Sequence, residues 1–107
     1  MASFGRFIKD KREKKGWSQT EFGALVKINA PLVSRIENDK KTLAANKLKL
    51  LADVLDMKFE EVRDLYFADK FAKEAFKNKC SENVFSVAEN EALYLKQINA
   101  KQSSLKF

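Results

Sequence analysis

The stretch WSQTEFGALVKINAPLVSRIEN, residues 17–38, decides the fold. Ser18 is followed three residues later by Glu21, so each side chain can accept the other's backbone N–H at the start of a helix, which makes a capping box. Trp17 before the cap and Phe22 four residues after it are placed as the matching hydrophobic staple. A helix is therefore predicted from Gln19 to about Val26. "KIN" then makes a short turn, and Asn29 caps a further helix, with Ile28 and Val33 placed as a second staple. Pro31 lies two residues inside that helix, where its missing N–H belongs to the donors a helix start leaves unpaired, so Asn29 must bond to Leu32 instead. At helical spacing Val33 and Ile36 turn inward with Leu32 beside them. Pro31, Ser34, Arg35 and Asn38 fall at i, i+3, i+4 and i+7 along the opposite stripe. Two short helices in a tight turn, the second showing such a face, form a helix-turn-helix arrangement.

Upstream, Ser3 can cap a helix through "FGRFIKDKREKK", with Phe4, Phe7 and Ile8 inward and Gly16 as its stop. Lys11 falls on the apolar stripe, so its stem should pack while its amine reaches water. The chain of 107 residues has 45% hydrophobic and 34% charged residues, three glycines and one proline, the composition of a packed, mostly helical domain. No apolar run is long enough to cross a bilayer and "MASFGRFIKDKR" lacks a signal-peptide centre, so a cytoplasmic protein without membrane association is expected. Cys80 is the single cysteine, which excludes a disulfide framework and a multi-cysteine metal site. With no histidine, no glycine-rich phosphate loop and no recognisable carboxylate pair, no catalytic constellation can be assembled. Neither an enzyme, a metal, a cofactor nor a small-molecule ligand is expected.

The net charge of +6 is unevenly placed. Residues 1–58 hold 13 Lys/Arg against 7 Asp/Glu, a balance of +6, whereas residues 59–107 hold 8 of each and balance to zero. A basic surplus confined to the segment that holds the helix-turn-helix suits a polyanion such as double-stranded DNA.

Residues 4–62 resemble the Cro/repressor-type, or XRE, family of helix-turn-helix regulators. The signature is carried by "WSQTEFGALVKINAPLVSRIEN" and by "LLADVLDMKFEEV", which resembles the family's fourth helix and turn. The resemblance implies that Gln19 binds a DNA phosphate and that Ala30, Pro31, Ser34 and Arg35 face base edges in the major groove. It also implies a buried ion pair between Arg12 and Glu37. In this reading Ala30 and Pro31 can touch a thymine methyl but make no bidentate pair, which leaves hydrogen-bonded readout mainly to Arg35 with Ser34. Asn29, Asn38, Lys40, Lys41, Asn46 and Lys47 fit phosphate contacts beside the groove.

The second half shows helical patterns from about Phe59 to Asn78 and again after "KCSEN", with Val84, Phe85, Val87, Ala88, Leu95 and Ile98 as apolar members. An apolar, charge-balanced addition to a self-sufficient DNA-binding part is expected to make a homodimer. "LYFADKFAKEAF" followed by "VFSVAENEALYL" is similar to small regulators and controller proteins of restriction–modification systems. The expected architecture is all-α: a five-helix, repressor-like helix-turn-helix domain over residues 1–62, a helical dimerisation extension over 63–101 and a loose tail over 102–107. The expected activity is that of a bacterial or phage transcription regulator. The alternative is an antitoxin-like protein-binding module whose DNA contact regulates its own synthesis.

Overall fold

The computed structural model describes residues 3–104, except for the side chains of 103 and 104. Among these residues the fold is all-α, with six helices: α1 (Phe4–Lys14), α2 (Gln19–Val26), α3 (Ala30–Glu37), α4 (Leu48–Val54), α5 (Phe59–Lys77) and α6 (Asn83–Ser104). A 3-10 helix over Ala45–Lys47 leads into α4 and has no counterpart in the sequence reading. None of the described helices is long and apolar enough to cross a membrane.

The helix starts follow from side-chain chemistry. The Ser3 hydroxyl accepts the Arg6 N–H at 3.1 Å. Ser18 accepts the Glu21 N–H at 3.0 Å while Glu21 accepts the Ser18 N–H at 2.9 Å, which closes the capping box. These bonds to Ser18 hold the Glu21 carboxyl below its ordinary range. Trp17 and Phe22 stack with ring centres 6.3 Å apart, as a staple requires. Asn29 accepts the Leu32 N–H at 2.9 Å, past Pro31.

The helix ends share a backbone device. Gly16, Lys27, Asp39, Asp56 and Lys79 all have φ between 57° and 75°, each just past a helix. After α3 the Asp39 N–H returns to the Ile36 carbonyl and the Lys40 N–H to that of Arg35; after α4 Met57 returns to Ala52, and after α5 Cys80 returns to Ala75. The Asp39 bond is a 5→2 closure and the other three are 6→1 closures, and all satisfy carbonyls that the helix itself leaves open.

The chain forms two compact units, the first through Phe71 and the second from Ala72. In the first, Phe4, Phe7, Ile8, Phe22, Val26, Val33, Ile36, Leu43, Leu48, Leu51, Leu55, Val62 and Tyr66 make one core. This unit extends past residue 62 because Tyr66 is buried in the same core as α1. In the second unit the end of α5 turns through 78–82 into α6, with Cys80 exposed in the turn. Helix α6 continues to Ser104, so the first residues of the segment expected as a tail are helical; residues 105–107 lie outside the described part.

Candidate nucleic-acid interface

The outer face of α3 is held by packing on one side and by an ion pair at its end. Val33 and Ile36 are buried, while Pro31 and Arg35 are exposed, Ser34 is half-exposed and Asn38 is exposed at the C-cap. Ala30 is half-buried, so it offers less surface than Pro31.

Glu37, the last residue of α3, is buried and receives three hydrogen bonds from two other helices. Arg12 of α1 donates through Nε to Oε2 at 2.7 Å and through Nη2 to Oε1 at 3.0 Å; Gln19 of α2 donates through Nε2 to Oε1 at 3.1 Å. The remaining Arg12 Nη1 donates to the Trp17 carbonyl at 2.8 Å. The bidentate bond to Glu37 raises the Arg12 guanidinium above its ordinary value, against the opposing effect of burial. A fork-to-fork pair fixes direction as well as distance. It therefore sets the end of α3 against α1 and against the first residue of α2.

The carboxylate also orients Gln19. A carboxylate accepts and does not donate, so the NH2 side of the Gln19 amide must face Glu37, leaving its second N–H directed elsewhere. Ala30 and Pro31, across the turn, have no side-chain group that could compete for it. Asn29 commits its oxygen to the Leu32 N–H, and Asn38 donates through Nδ2 to the Ser34 carbonyl at 2.8 Å. Lys40 and Lys41 follow α3 and are exposed, as is Asn46 on the 3-10 helix. Lys47 is half-buried, and its Nζ donates to the Lys27 carbonyl at 3.3 Å, which ties the 3-10 helix to the turn between α2 and α3.

Two features of this region were not read from the sequence: the Gln19 bond to Glu37, and a hydroxyl from α5. Tyr66 donates through Oη to the Leu43 carbonyl at 2.6 Å, in the segment that follows the two lysines. The signal available was a tyrosine among the inward residues of α5, since a buried phenol needs an acceptor.

Two consecutive short helices, the second with a convex face carrying one guanidinium, and a lysine pair beside it define a helix-turn-helix DNA-binding class. The helix-turn-helix family profile HTH_3 matches residues 8–62, and the chain belongs to this family, of XRE type. It is a DNA-binding transcription regulator. No curated protein matches the chain. Among solved structures, the restriction–modification controller protein C.AhdI from Aeromonas hydrophila is 25% identical, with a TM-score of 0.50 over 55% of this chain and 86% of that one. SinR, described as the master regulator for biofilm formation and solved in complex with DNA, is 27% identical with a TM-score of 0.50 over 55% of this chain and 95% of that one. A chain of the SinR protein/SinI protein complex matches over 88% of this chain and 98% of its own length, at 22% identity and a TM-score of 0.50, a likeness of fold.

Proposed function

We propose that the chain is a sequence-specific regulator that binds an inverted-repeat operator as a homodimer, with a restriction–modification gene set as its target. The observation that carries the reading is the outward stripe of α3, in which Arg35 is the exposed guanidinium beside Pro31 and Ser34 while the lysine pair follows directly. In this reading α3 lies in the major groove, Arg35 pairs with guanine O6 and N7, Ser34 assists, and Ala30 and Pro31 meet methyl groups. Gln19, Asn29, Asn38, Lys40, Lys41, Asn46 and Lys47 hold phosphates on either side. The likeness to C.AhdI, itself a restriction–modification controller protein, supports the proposed target.

The second unit supports the dimer. Its buried large-hydrophobic content is small: Ala75 is buried, while Phe76, Phe85, Val87, Leu93, Tyr94 and Leu95 are all about half exposed or more. Exposed apolar side chains this numerous mark a surface that another chain can cover. A second copy supplies that cover and also places two recognition helices on half-sites about 34–36 Å apart.

The test begins with duplexes enriched from a random pool by the full chain. Arg35→Ala should lose roughly 1–3 kcal/mol on the enriched duplex and little on mixed-sequence DNA, whereas Lys41→Ala should weaken both and lower the salt slope by about one. Equal losses for Arg35→Ala on both duplexes would reassign it to phosphate. Sedimentation of the full chain and of a chain ending at Phe71 should give a dimer and a folded monomer. A full chain that sediments as a monomer favours the antitoxin-like reading, in which a different protein covers α6.

A further inference from the structure

We infer that Tyr66 is a positioning residue for the phosphate contacts of Lys40 and Lys41; the inference rests on the reading above and adds to it a residue outside the matched stretch 8–62. Tyr66 is 4% exposed, and its hydroxyl donates to the Leu43 carbonyl at 2.6 Å. Its ring is fixed edge-on against Phe4, with centres 5.3 Å apart, and against Phe67 at 5.0 Å. Burial raises the phenol above its ordinary value, so it stays an O–H donor at neutral pH. The donor is thus rigid, and so is the carbonyl it holds.

The lysines lie on a short span fixed at both ends. At the start, Asp39 takes a left-handed conformation and the Lys40 N–H donates to the Arg35 carbonyl at 2.8 Å. At the finish, the Leu43 side chain is buried and its carbonyl is held by Tyr66. Between these points Lys40, Lys41 and Thr42 are exposed. A cation on a fixed backbone loses less conformational freedom on meeting a phosphate than one on a loose loop. Removing only the hydroxyl keeps the ring in the core but leaves a buried carbonyl without its donor, and such a group forces the backbone to seek water. Leu43 is flanked by exposed residues on both sides, Lys40 to Thr42 before it and Ala44 to Asn46 after it, and the displacement reaches Lys40 and Lys41 through the first of these. Tyr66 of α5 in this way fixes from within the core one end of the span that carries the two lysines.

The test compares the full-length chain, Tyr66→Phe, Lys40→Ala/Lys41→Ala and the triple variant on a mixed-sequence duplex and on the enriched duplex. Tyr66→Phe should remain helical, bind both duplexes roughly 3–10-fold more weakly and show a salt slope shallower by about 0.9, the loss of one phosphate contact. In the double-alanine background the same substitution should add less than about twofold, because the coupled contacts are already gone. Backbone amides between residues 40 and 44 should exchange faster in Tyr66→Phe while those of α3 keep their protection. If Tyr66→Phe melts too low to assay, the comparison is repeated in trimethylamine oxide, which favours the folded state without changing the charges. A Tyr66→Phe variant that melts lower but keeps the parent's affinity and slope makes Tyr66 a core residue only and overturns the inference. So does a full losses-add result in the triple variant. A parent chain that binds neither duplex defeats the DNA-reading proposal itself, which separates the two failures.

Discussion

Replacing Glu37 by alanine should be among the most damaging single changes to this chain. The side chains of Arg12 and Glu37 are 10% and 2% exposed, and their closest approach is 2.7 Å. In Glu37→Ala the Arg12 guanidinium keeps one acceptor, the Trp17 carbonyl, but its Nε and Nη2 donors lose theirs, and Gln19 loses its own. Breaking a buried pair by removing one partner typically costs about 3–5 kcal/mol, because a desolvated charge is left unmatched. For a domain of this size each kcal/mol moves the midpoint by roughly 4–8 °C, so a fall of roughly 12–40 °C is expected in thermal unfolding followed by circular dichroism. The cost belongs to the orphaned charge rather than to the loss of an attraction, and this distinction can be measured. Arg12→Met combined with Glu37→Leu removes both charges, and such replacements are often neutral or stabilising by about 1–4 kcal/mol. The double variant should therefore melt well above either single alanine variant. A Glu37→Ala midpoint within about 2 °C of the parent, or a double variant as unstable as the sum of the singles, would refute the reasoning.

Three further outcomes are expected. Gly5→Ala puts a Cβ 2.2 Å from the Ile36 carbonyl oxygen, so α1 must move off the end of α3; despite the helix-propensity gain of about 1 kcal/mol, the urea midpoint should fall by an equivalent of about 1–3 kcal/mol. Lys27→Gly relieves a left-handed residue at φ 61°, ψ 45° while keeping the carbonyl that accepts from Lys47, and should raise stability by about 0.5–1 kcal/mol in the same assay. Glu21→Gln should flatten the acid limb of the stability curve. The hydrogen bonds with Ser18 hold the folded Glu21 carboxyl below its ordinary range, so its contribution is complete above that range and is lost as the pH falls through the folded value, and urea midpoints at neutral pH and in acid should differ less in the variant than in the parent.

The parts of this fold that could be read from the sequence are the parts whose chemistry lies in side chains close together along the chain. Ser18, Glu21 and Asn29 announce the starts of α2 and α3 because the capping atoms are their own oxygens, three residues from the N–H groups they accept. The opposite ends are written in backbone conformation. Lys27, Asp39, Asp56 and Lys79 take positive φ without the glycine that would have marked the stop, and of the five helix ends that use such a residue, only the one at Gly16 is signalled by type. That the first compact unit runs on past 62 is hidden for a related reason. Val62 completes a recognisable pattern, whereas the membership of Tyr66 in the core depends on Phe4 and Leu43, residues distant in sequence.

The same division runs through the candidate interface. The residues on the outer stripe of α3 are legible by spacing alone. Of what holds the stripe in place, the Arg12–Glu37 pair is legible only through the family resemblance, and the rest is not, because Glu37 is joined to Gln19 across 18 residues, and Leu43 to Tyr66 across 23. The Gln19 bond ends on the last residue of α3 and the Tyr66 bond on the segment that leads from α3 to the 3-10 helix. Helix α3 is thus capped locally at its N-terminal end, by Asn29, and fastened at its C-terminal end by α1 and α2 through Glu37, while α5 holds the segment beyond it through Leu43. Substitutions at the start of α3 should then change which bases are met with little effect on the rest of the domain, whereas substitutions at its end act on stability and on phosphate contact together. A scan of α3 that measures melting temperature and salt slope in each variant should show the two quantities uncoupled at Pro31 and Ser34 and coupled from Glu37 onward.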